Sequence, residues 1–319
     1  MTVLIAYLII RKLRFEEKLL LVLYISLLTF WIVSQVVLVL SIEIGYVGVK
    51  SYYSQEYQKN LEIRGDKLNA TWYITALYRA EFSATYGTLN ATVPNRVIQN
   101  LGSMLLFAPI LGAYLSELDG FSKLIVVQKK GNCEEFAKAI SFLLNNVGGL
   151  QTRIISMEGI DHAFPEVYVD GKWWVFDKIY TTPDYPVEAS RYASHLENKG
   201  MAKYVANLKI KDTDKSVLSE HGFSTFNLTV VAILDMTNNP SDDKAAANAD
   251  VEIFAMENSY DPLVAKGKTD KSGKYTVILN SQNSYIVIVK KGLSAVGIAK
   301  IDAIDTFNKT VEIHLHKYG

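Results

Sequence analysis

Three side chains in this 319-residue chain have types and spacing that could do covalent chemistry: Cys133, His162 and Asp177. A thiol, an imidazole and a carboxylate in that order are a nucleophile, a base and a group to orient the base. Cys133 is the single cysteine, so no intrachain disulfide framework and no Cys-rich zinc or iron–sulfur site can form. Taken alone, Cys133 also fits a small buried hydrophobe.

The elements that must position these residues can be read locally. Cys133 lies in Lys130-Gly-Asn-Cys-Glu-Glu-Phe-Ala137. Asn132 is a good N-cap, and Glu134 and Glu135 suit the first turn of a helix. Apolar residues at 136, 139, 140, 143 and 144 follow, and Gly148-Gly149 ends the run. Cys133 is therefore expected at the start of a buried helix. There, unpaired N–H groups favour the thiolate, while the two glutamates oppose it, so a base partner is required.

Downstream, His162 to Val169 and Lys172 to Ile179 read as two strands joined by Asp170-Gly171, a type I′ turn signal. The turn pairs Val169 with Lys172 and, working outward, Phe164 with Asp177 and His162 with Ile179. His162 and Asp177 become diagonal neighbours on one face, about 7–8 Å apart and within reach of a hydrogen bond. Pro165 cannot donate to the ladder, which predicts an edge strand or a register-shifting bulge.

Gly131-Asn132-Cys133, Asp161-His162-Ala163-Phe164, Glu166 to Val169 and Gly171-Lys172-Trp173 through Asp177 together resemble the core of transglutaminase-like proteins. The family pattern has a G-x-C helix start followed by H-A-W-x-E-V-Y-V-x-G-x-W-x-x-x-D. Phe164 replaces the usual tryptophan, Pro165 is unusual, and Lys178 stands where proline often follows the aspartate. None of these departures removes a catalytic group. The resemblance implies a papain-like thiol mechanism with Cys133, His162 and Asp177 as catalytic residues, acting on a protein or peptide amide. Gln128, five residues upstream of Cys133, is a candidate second oxyanion donor beside the Cys133 backbone N–H. Trp173 and Trp174 point to opposite faces, so one is expected in the core and the other is a candidate for the cleft wall. His195 and His221 lie in polar segments and are expected to be exposed. No EF-hand or similar calcium loop is present, and no cofactor is implied.

Leu19 to Ile42 (LLLVLYISLLTFWIVSQVVLVLSI) is 24 residues without a charge. As a helix it is about 36 Å long, enough to cross a hydrocarbon core of about 30 Å. A cleaved signal peptide would have a shorter apolar region, and Ser41-Ile42-Glu43 is a poor cleavage site. Arg11, Lys12, Arg14 and Lys18 precede the span, which places the N-terminus in the cytoplasm and the rest of the chain outside. Met1–Ile10 is too short to span and suits the membrane surface. A second apolar run, Leu101 to Leu115, carries Pro109 and is 15 residues long. It suits a core helix kinked or started near the proline better than a second span.

The net charge is zero, with 33 basic and 33 acidic residues. Residues 1–42 hold 4 basic and 2 acidic ones, leaving 29 and 31 beyond them. A slightly acidic exported body argues against a nucleic-acid partner. Four Asn-x-Ser/Thr sequons, at Asn69, Asn90, Asn227 and Asn308, lie beyond the span.

From Phe226 the hydrophobic period changes to two, giving five to seven strands separated by turn residues, the pattern of a β-sandwich. Thr269-Asp270-Lys271-Ser272-Gly273-Lys274-Tyr275 resembles the turn of carboxypeptidase-regulatory-like (prealbumin-like) domains. His314 and His316 share a strand face, but two histidines without a third ligand make a solvated face rather than a metal site.

The expected class is α+β: an N-terminal transmembrane helix, a transglutaminase-like α+β domain and a C-terminal all-β sandwich. The divisions are 1–18 cytoplasmic, 19–42 in the membrane, 43–225 helical lead-in plus transglutaminase-like domain, and 226–319 sandwich. The function implied is a membrane-anchored thiol enzyme that hydrolyses or transfers amides. The alternative is a non-catalytic cell-surface binding or adhesion protein of the same fold, whose partners are cell-envelope proteins.

Overall fold

The computed structural model describes residues 15–84, 109–117, 119–160, 162–177, 185–213, 215–235, 243–256, 263–292, 295–303 and 306–317. Met1–Ile10, Asn90, Asp161, Lys178 and the first eight residues of the Leu101 run lie outside them. The chain forms two compact units, Met1–Tyr53 with Ser83–Asn132, and Ser54–Phe82 with Cys133–Gly319.

The long helix α1 runs Phe15–Arg64. Its apolar section is long enough to cross a membrane, and most of its side chains are exposed, Leu20, Leu27 and Phe30 each by more than 60%. Gly65, in the left-handed region at φ +65°, ends α1. Asp66 then caps α2 (Lys67–Glu81) by accepting from the Leu68 N–H at 2.8 Å. Besides its part of α1, the first unit contains α3 (Pro109–Glu117), α4 (Gly120–Gln128) and a two-residue parallel pair, β1 (Ser83–Ala84) with β2 (Lys130–Gly131). Residues 101–108 lie outside the described residues, and α3 is described from Pro109 onward. Proline is suited to a first helical position because it has no N–H to leave unpaired.

In the second unit, α5 (Cys133–Gly148) is amphipathic and buries Phe136, Ala139, Ile140, Leu143 and Leu144. It packs on β3 (Gln151–Glu158) and β4 (His162–Val169). These strands belong to a five-stranded antiparallel sheet in the order β6-β5-β4-β3-β7, with β5 at Lys172–Val175, β6 at Val187–Glu188 and β7 at Asn207–Ile210. The short helix α6 (Tyr192–Glu197) contributes Tyr192, Ala193 and Leu196 to a core with Ile155, Met157, Phe164 and Val175.

The C-terminal part of the unit forms an eight-stranded sheet. Its members are β8 (Thr225–Leu234), β9 (Lys244–Ala245), β10 (Asp250–Ala255), β11 (Leu263–Lys268), β12 (Lys274–Asn280), β13 (Tyr285–Lys291), β14 (Ala295–Ile301) and β15 (Asn308–Lys317). The order is β11-β10-β13-β14-β15-β8-β12, with β9 on β8. Among the described residues two pairs join β14 to β15, and the strands on either side share one apolar core. The Thr269–Tyr275 turn has a clear physical basis. Asp270 Oδ1 accepts from the Ser272 and Lys274 backbone N–H groups, and a Cβ on Gly273 would meet the Ala232 carbonyl at 2.6 Å. Asn280 ties the two sheets together, donating from Nδ2 to the Val205 carbonyl at 2.7 Å and from its backbone N to Ala206 at 3.1 Å.

Candidate active site

The hairpin that carries the site has the register drawn from its turn. Asp170 and Gly171 both have positive φ, +50° and +82°, as a type I′ turn requires. Val169 pairs with Lys172, Tyr168 with Trp173, Val167 with Trp174 and Glu166 with Val175. Pro165 neither bulges the strand nor confines it to an edge: β4 is the central strand, and its pairing to β3 is continuous. The reason lies in where the missing donor falls. The ladder of β5 ends at Val175, and beyond it only the Phe176 N–H reaches the Pro165 carbonyl, at 3.1 Å. The missing N–H would have faced Phe176, just past the end of β5, so only one terminal ladder bond is lost.

This register brings His162 and Asp177 together. His162 Nε2 and Asp177 Oδ1 are 2.9 Å apart, with Asp177 fully buried and His162 7% exposed. The Cys133 side chain acts on the His162 ring as a second source of electrostatic stabilisation after Asp177. With Nε2 committed to the carboxylate, Nδ1 is the nitrogen left for the thiol. Burial works against the charged imidazole, but the Asp177 carboxylate, and after it Cys133, outweigh burial and push the His162 pKa up to about 10. Cys133 itself is half-buried at the first residue of α5. The two glutamates beside it behave differently. Glu135 is buried, and Glu134 pairs with Lys138 at 2.7 Å and Lys211 at 3.3 Å. Burial alone would raise the Glu134 carboxyl; Lys138 and then Lys211 hold it below the usual range. The Glu134 charge that opposed a thiolate is thus largely offset.

Several residues enter the site without a signal in the sequence. Tyr192 donates from Oη to Asp177 Oδ2 at 2.6 Å, so both carboxylate oxygens are engaged. Phe164, in the place of the family's tryptophan, fills the space between His162, Tyr192 and His221, with ring centroids 5.1–6.4 Å away. His221, expected to be exposed, is completely buried. Its Nδ1 donates to the Val217 carbonyl at 2.7 Å, and its Nε2 meets Glu166 Oε1. The other oxygen of Glu166 accepts from Arg153 Nε at 2.6 Å, and Arg153 also pairs with Glu220 at 2.9 Å. His195 is half-buried and stacks on Tyr192.

The remaining sequence candidates fall as follows. Trp173 and Trp174 are both half-buried. Trp173 packs against the α6 core under the Arg153 guanidinium, 4.2 Å from its ring centroid. Trp174 pairs across strands with Val167 and Glu188. Gln128 is the exposed last residue of α4, in the first unit. His314 and His316 pair with Asp243 and Asp235, at 3.8 and 3.2 Å. Among the described residues no group of three His, Cys, Asp or Glu side chains is arranged to hold a metal.

Residues 116–178 match the sequence profile of the family described as the transglutaminase-like superfamily. This segment is transglutaminase-like. The chain also shares a family with an uncharacterized protein of Archaeoglobus fulgidus, 45% identical over 71 residues, which are 22% of this chain and 78% of that one. Among solved structures, the shaft pilin SpaA of Lactobacillus rhamnosus GG is 15% identical over 30% of this chain, with a TM-score of 0.23. This chain spans about half of that pilin (51%). The minor pilin GBS52 of Streptococcus agalactiae is 12% identical over 53% of this chain and 84% of that one, with a TM-score of 0.24. Likenesses this low establish neither fold nor function. The transglutaminase-like segment contains Cys133, His162 and Asp177, while Tyr192, His195 and His221 lie beyond it.

Proposed function

We propose that this chain is a membrane-anchored thiol enzyme acting on protein or peptide amides, with Cys133 as nucleophile, His162 as general base and acid, and Asp177 as the group that orients His162. The observation that carries this reading is one imidazole held at Nε2 by a buried carboxylate and bordered by the cysteine side chain.

In this reaction the Cys133 sulfur attacks the amide carbonyl carbon. A C–S bond forms, and the carbonyl oxygen takes up negative charge near the Cys133 backbone N–H at the start of α5. His162 gives its proton to the leaving nitrogen as the C–N bond breaks, leaving a thioester on Cys133. Water or a substrate amine, deprotonated by His162, then forms a C–O or C–N bond to the acyl carbon as the C–S bond breaks, which returns Cys133 as thiolate beside protonated His162. Asp177 keeps the Nε2–H tautomer throughout, so Nδ1 always faces the reaction.

Leu19–Ile42 anchors the chain in this reading, with the basic N-terminal flank in the cytoplasm and the transglutaminase-like segment outside. The eight-stranded sheet, prealbumin-like in its Thr269–Tyr275 turn, serves as a rigid carrier.

Thiol reactivity tests the proposal. Iodoacetamide should alkylate Cys133 rapidly at pH 6–7, and His162→Ala should remove that rapid phase. Alkylation that rises only near pH 8.5, about the ordinary thiol pKa, would refute the enzyme reading in favour of a binding protein of the same fold.

A further inference from the structure

The first unit buries an amide side chain inside the apolar section of α1. Gln35 lies inside the uncharged run Leu19–Ile42, yet it is only 6% exposed. Its Oε1 accepts from the backbone N–H groups of Ile110 and Leu111, at 3.2 and 3.4 Å. Those two amides open α3, and Pro109 before them has no N–H. The first four amides of any helix lack partners within it, and in hydrocarbon each unpaired one costs several kcal/mol. Proline at the first position and one glutamine side chain together answer three of the four.

The contact continues up the same stripe of α1. Val39, Ile42 and Tyr46 follow Gln35 at helical spacing, and Ile42 packs with Leu111, Tyr114, Leu115 and Leu124 of α3 and α4. One residue past Ile42, Glu43 pairs with Lys123 at 2.6 Å, and Lys123 also lies over the Tyr46 and Tyr114 rings. An ion pair flanked by two tyrosines marks the level at which α1 leaves the hydrocarbon. Gln35 is eight residues below Glu43, a depth of about 12 Å, and α3 with nine residues is about 13.5 Å long. A helix of that length starting beside Gln35 reaches the ion-pair level at its far end. Sliding α1 outward until Gln35 met water would leave only Leu19–Ser34 for the span. That is about 24 Å, short of the roughly 30 Å core.

We infer that α3 is a re-entrant membrane helix: its N-terminus sits near the middle of the bilayer, docked on Gln35, and its C-terminus emerges at the Glu43–Lys123 pair. The partner is the lipid of the leaflet on that side, which meets the exposed Ile110 side chain. The inference rests on the reading of Leu19–Ile42 as a membrane span and adds a second, non-spanning insertion to it.

Spin labelling tests this on the full chain in phosphatidylcholine vesicles. On a Cys133→Ser background, single cysteines replace Val37 in the span, Ile110 in α3 and the exposed Lys130. Oxygen reports lipid exposure and a nickel chelate reports water. Labels at Val37 and Ile110 should both lose nickel collision relative to Lys130 and keep oxygen collision. Adding Gln35→Leu should restore nickel access at position 110 while leaving position 37 in lipid. If position 110 collides with nickel as Lys130 does and position 37 does not, re-entry is wrong and the span stands. If position 37 also reads as water, the span reading falls and re-entry with it. If position 110 stays in lipid in the Gln35→Leu chain, Gln35 is not its anchor.

Discussion

The two sheets of the second unit bury very different chemistry. Around the five-stranded sheet the interior holds His162, Glu166, Asp177 and His221, with Arg153 almost fully covered. Among the described residues of the eight-stranded sheet no Asp, Glu, His, Lys or Arg is buried, and the shared core is Ala, Val, Ile, Leu, Phe and Tyr. Its charges stand in exposed cross-strand pairs such as Lys268–Asp250 and Lys290–Glu252, both at 2.8 Å. Buried charge is expensive to keep and an apolar core of equal volume is often as stable or more so. On the proposed reading, the sheet that keeps buried charge is the one with work for it, and the other serves as scaffold.

The sharpest way to break this contrast is to remove the central charge of the first sheet. Glu166→Ala strips Arg153 and His221 of their shared partner and leaves two buried donors unanswered. A loss of about 3–5 kcal/mol is expected. Hydrogen exchange followed peptide by peptide should locate it in residues 151–177, with residues 225–317 exchanging as before. Uniformly faster exchange across both sheets would show that they do not differ as described.

Acidity gives the second test. The His162 pKa is raised from 6.5 to about 10, chiefly by Asp177 acting against burial. A raised base stabilises the fold fully below its unfolded pKa, about 6.5, and that contribution fades as pH rises through about 10. The stability difference between the native chain and His162→Gln should therefore shrink steadily from pH 6.5 to 10. Among its described residues the eight-stranded sheet buries no Asp, Glu, His, Lys or Arg, so its exchange protection should be nearly flat once corrected for intrinsic rates.

How much of this was legible in the sequence depends on the range of the interaction. Asp170-Gly171 is a local signal, and from it alone came the register that puts His162 beside Asp177. The change to period two at Phe226 is local as well. Pro165 misled because its rule concerns a donor that a partner strand needs, and the end of β5 is a tertiary fact. Tyr192 and His221 were illegible for the same reason. They lie 15 and 55 residues from the carboxylates they meet, in segments whose own polarity suggests solvent. Only packing around Phe164 brings them in.

Tyr192 sharpens the contrast within the first sheet. Tyr192→Phe keeps the ring that packs on Phe164 and removes only the hydroxyl on Asp177 Oδ2. A hydrogen bond to a charged group is worth about 1.5–3 kcal/mol. Part of that loss should appear as reactivity, because a carboxylate freed on one side holds the imidazole less firmly. The expected result is slower alkylation of Cys133 at pH 6–7 with its alkaline behaviour moved. Normal alkylation with lowered stability would make Tyr192 a packing residue and nothing more.

The smallest effect belongs to the scaffold. Glu252 sits between Lys266 and Lys290 on the surface of β10, at 3.2 and 2.8 Å. In a Glu-to-Ala comparison with Glu166 it changes the same atoms, so chemistry is held constant and only burial differs. Exposed ion pairs contribute about 0.2–1 kcal/mol, because water already solvates both partners and salt screens them. Glu252→Ala should therefore cost no more than about 1 kcal/mol, and raising salt should erase most of that cost. The Glu166→Ala cost should persist in salt, since its partners lie where counterions cannot reach. If both substitutions fade alike with added salt, Glu166 is reached by water, and the buried polar centre loses the property that sets it apart.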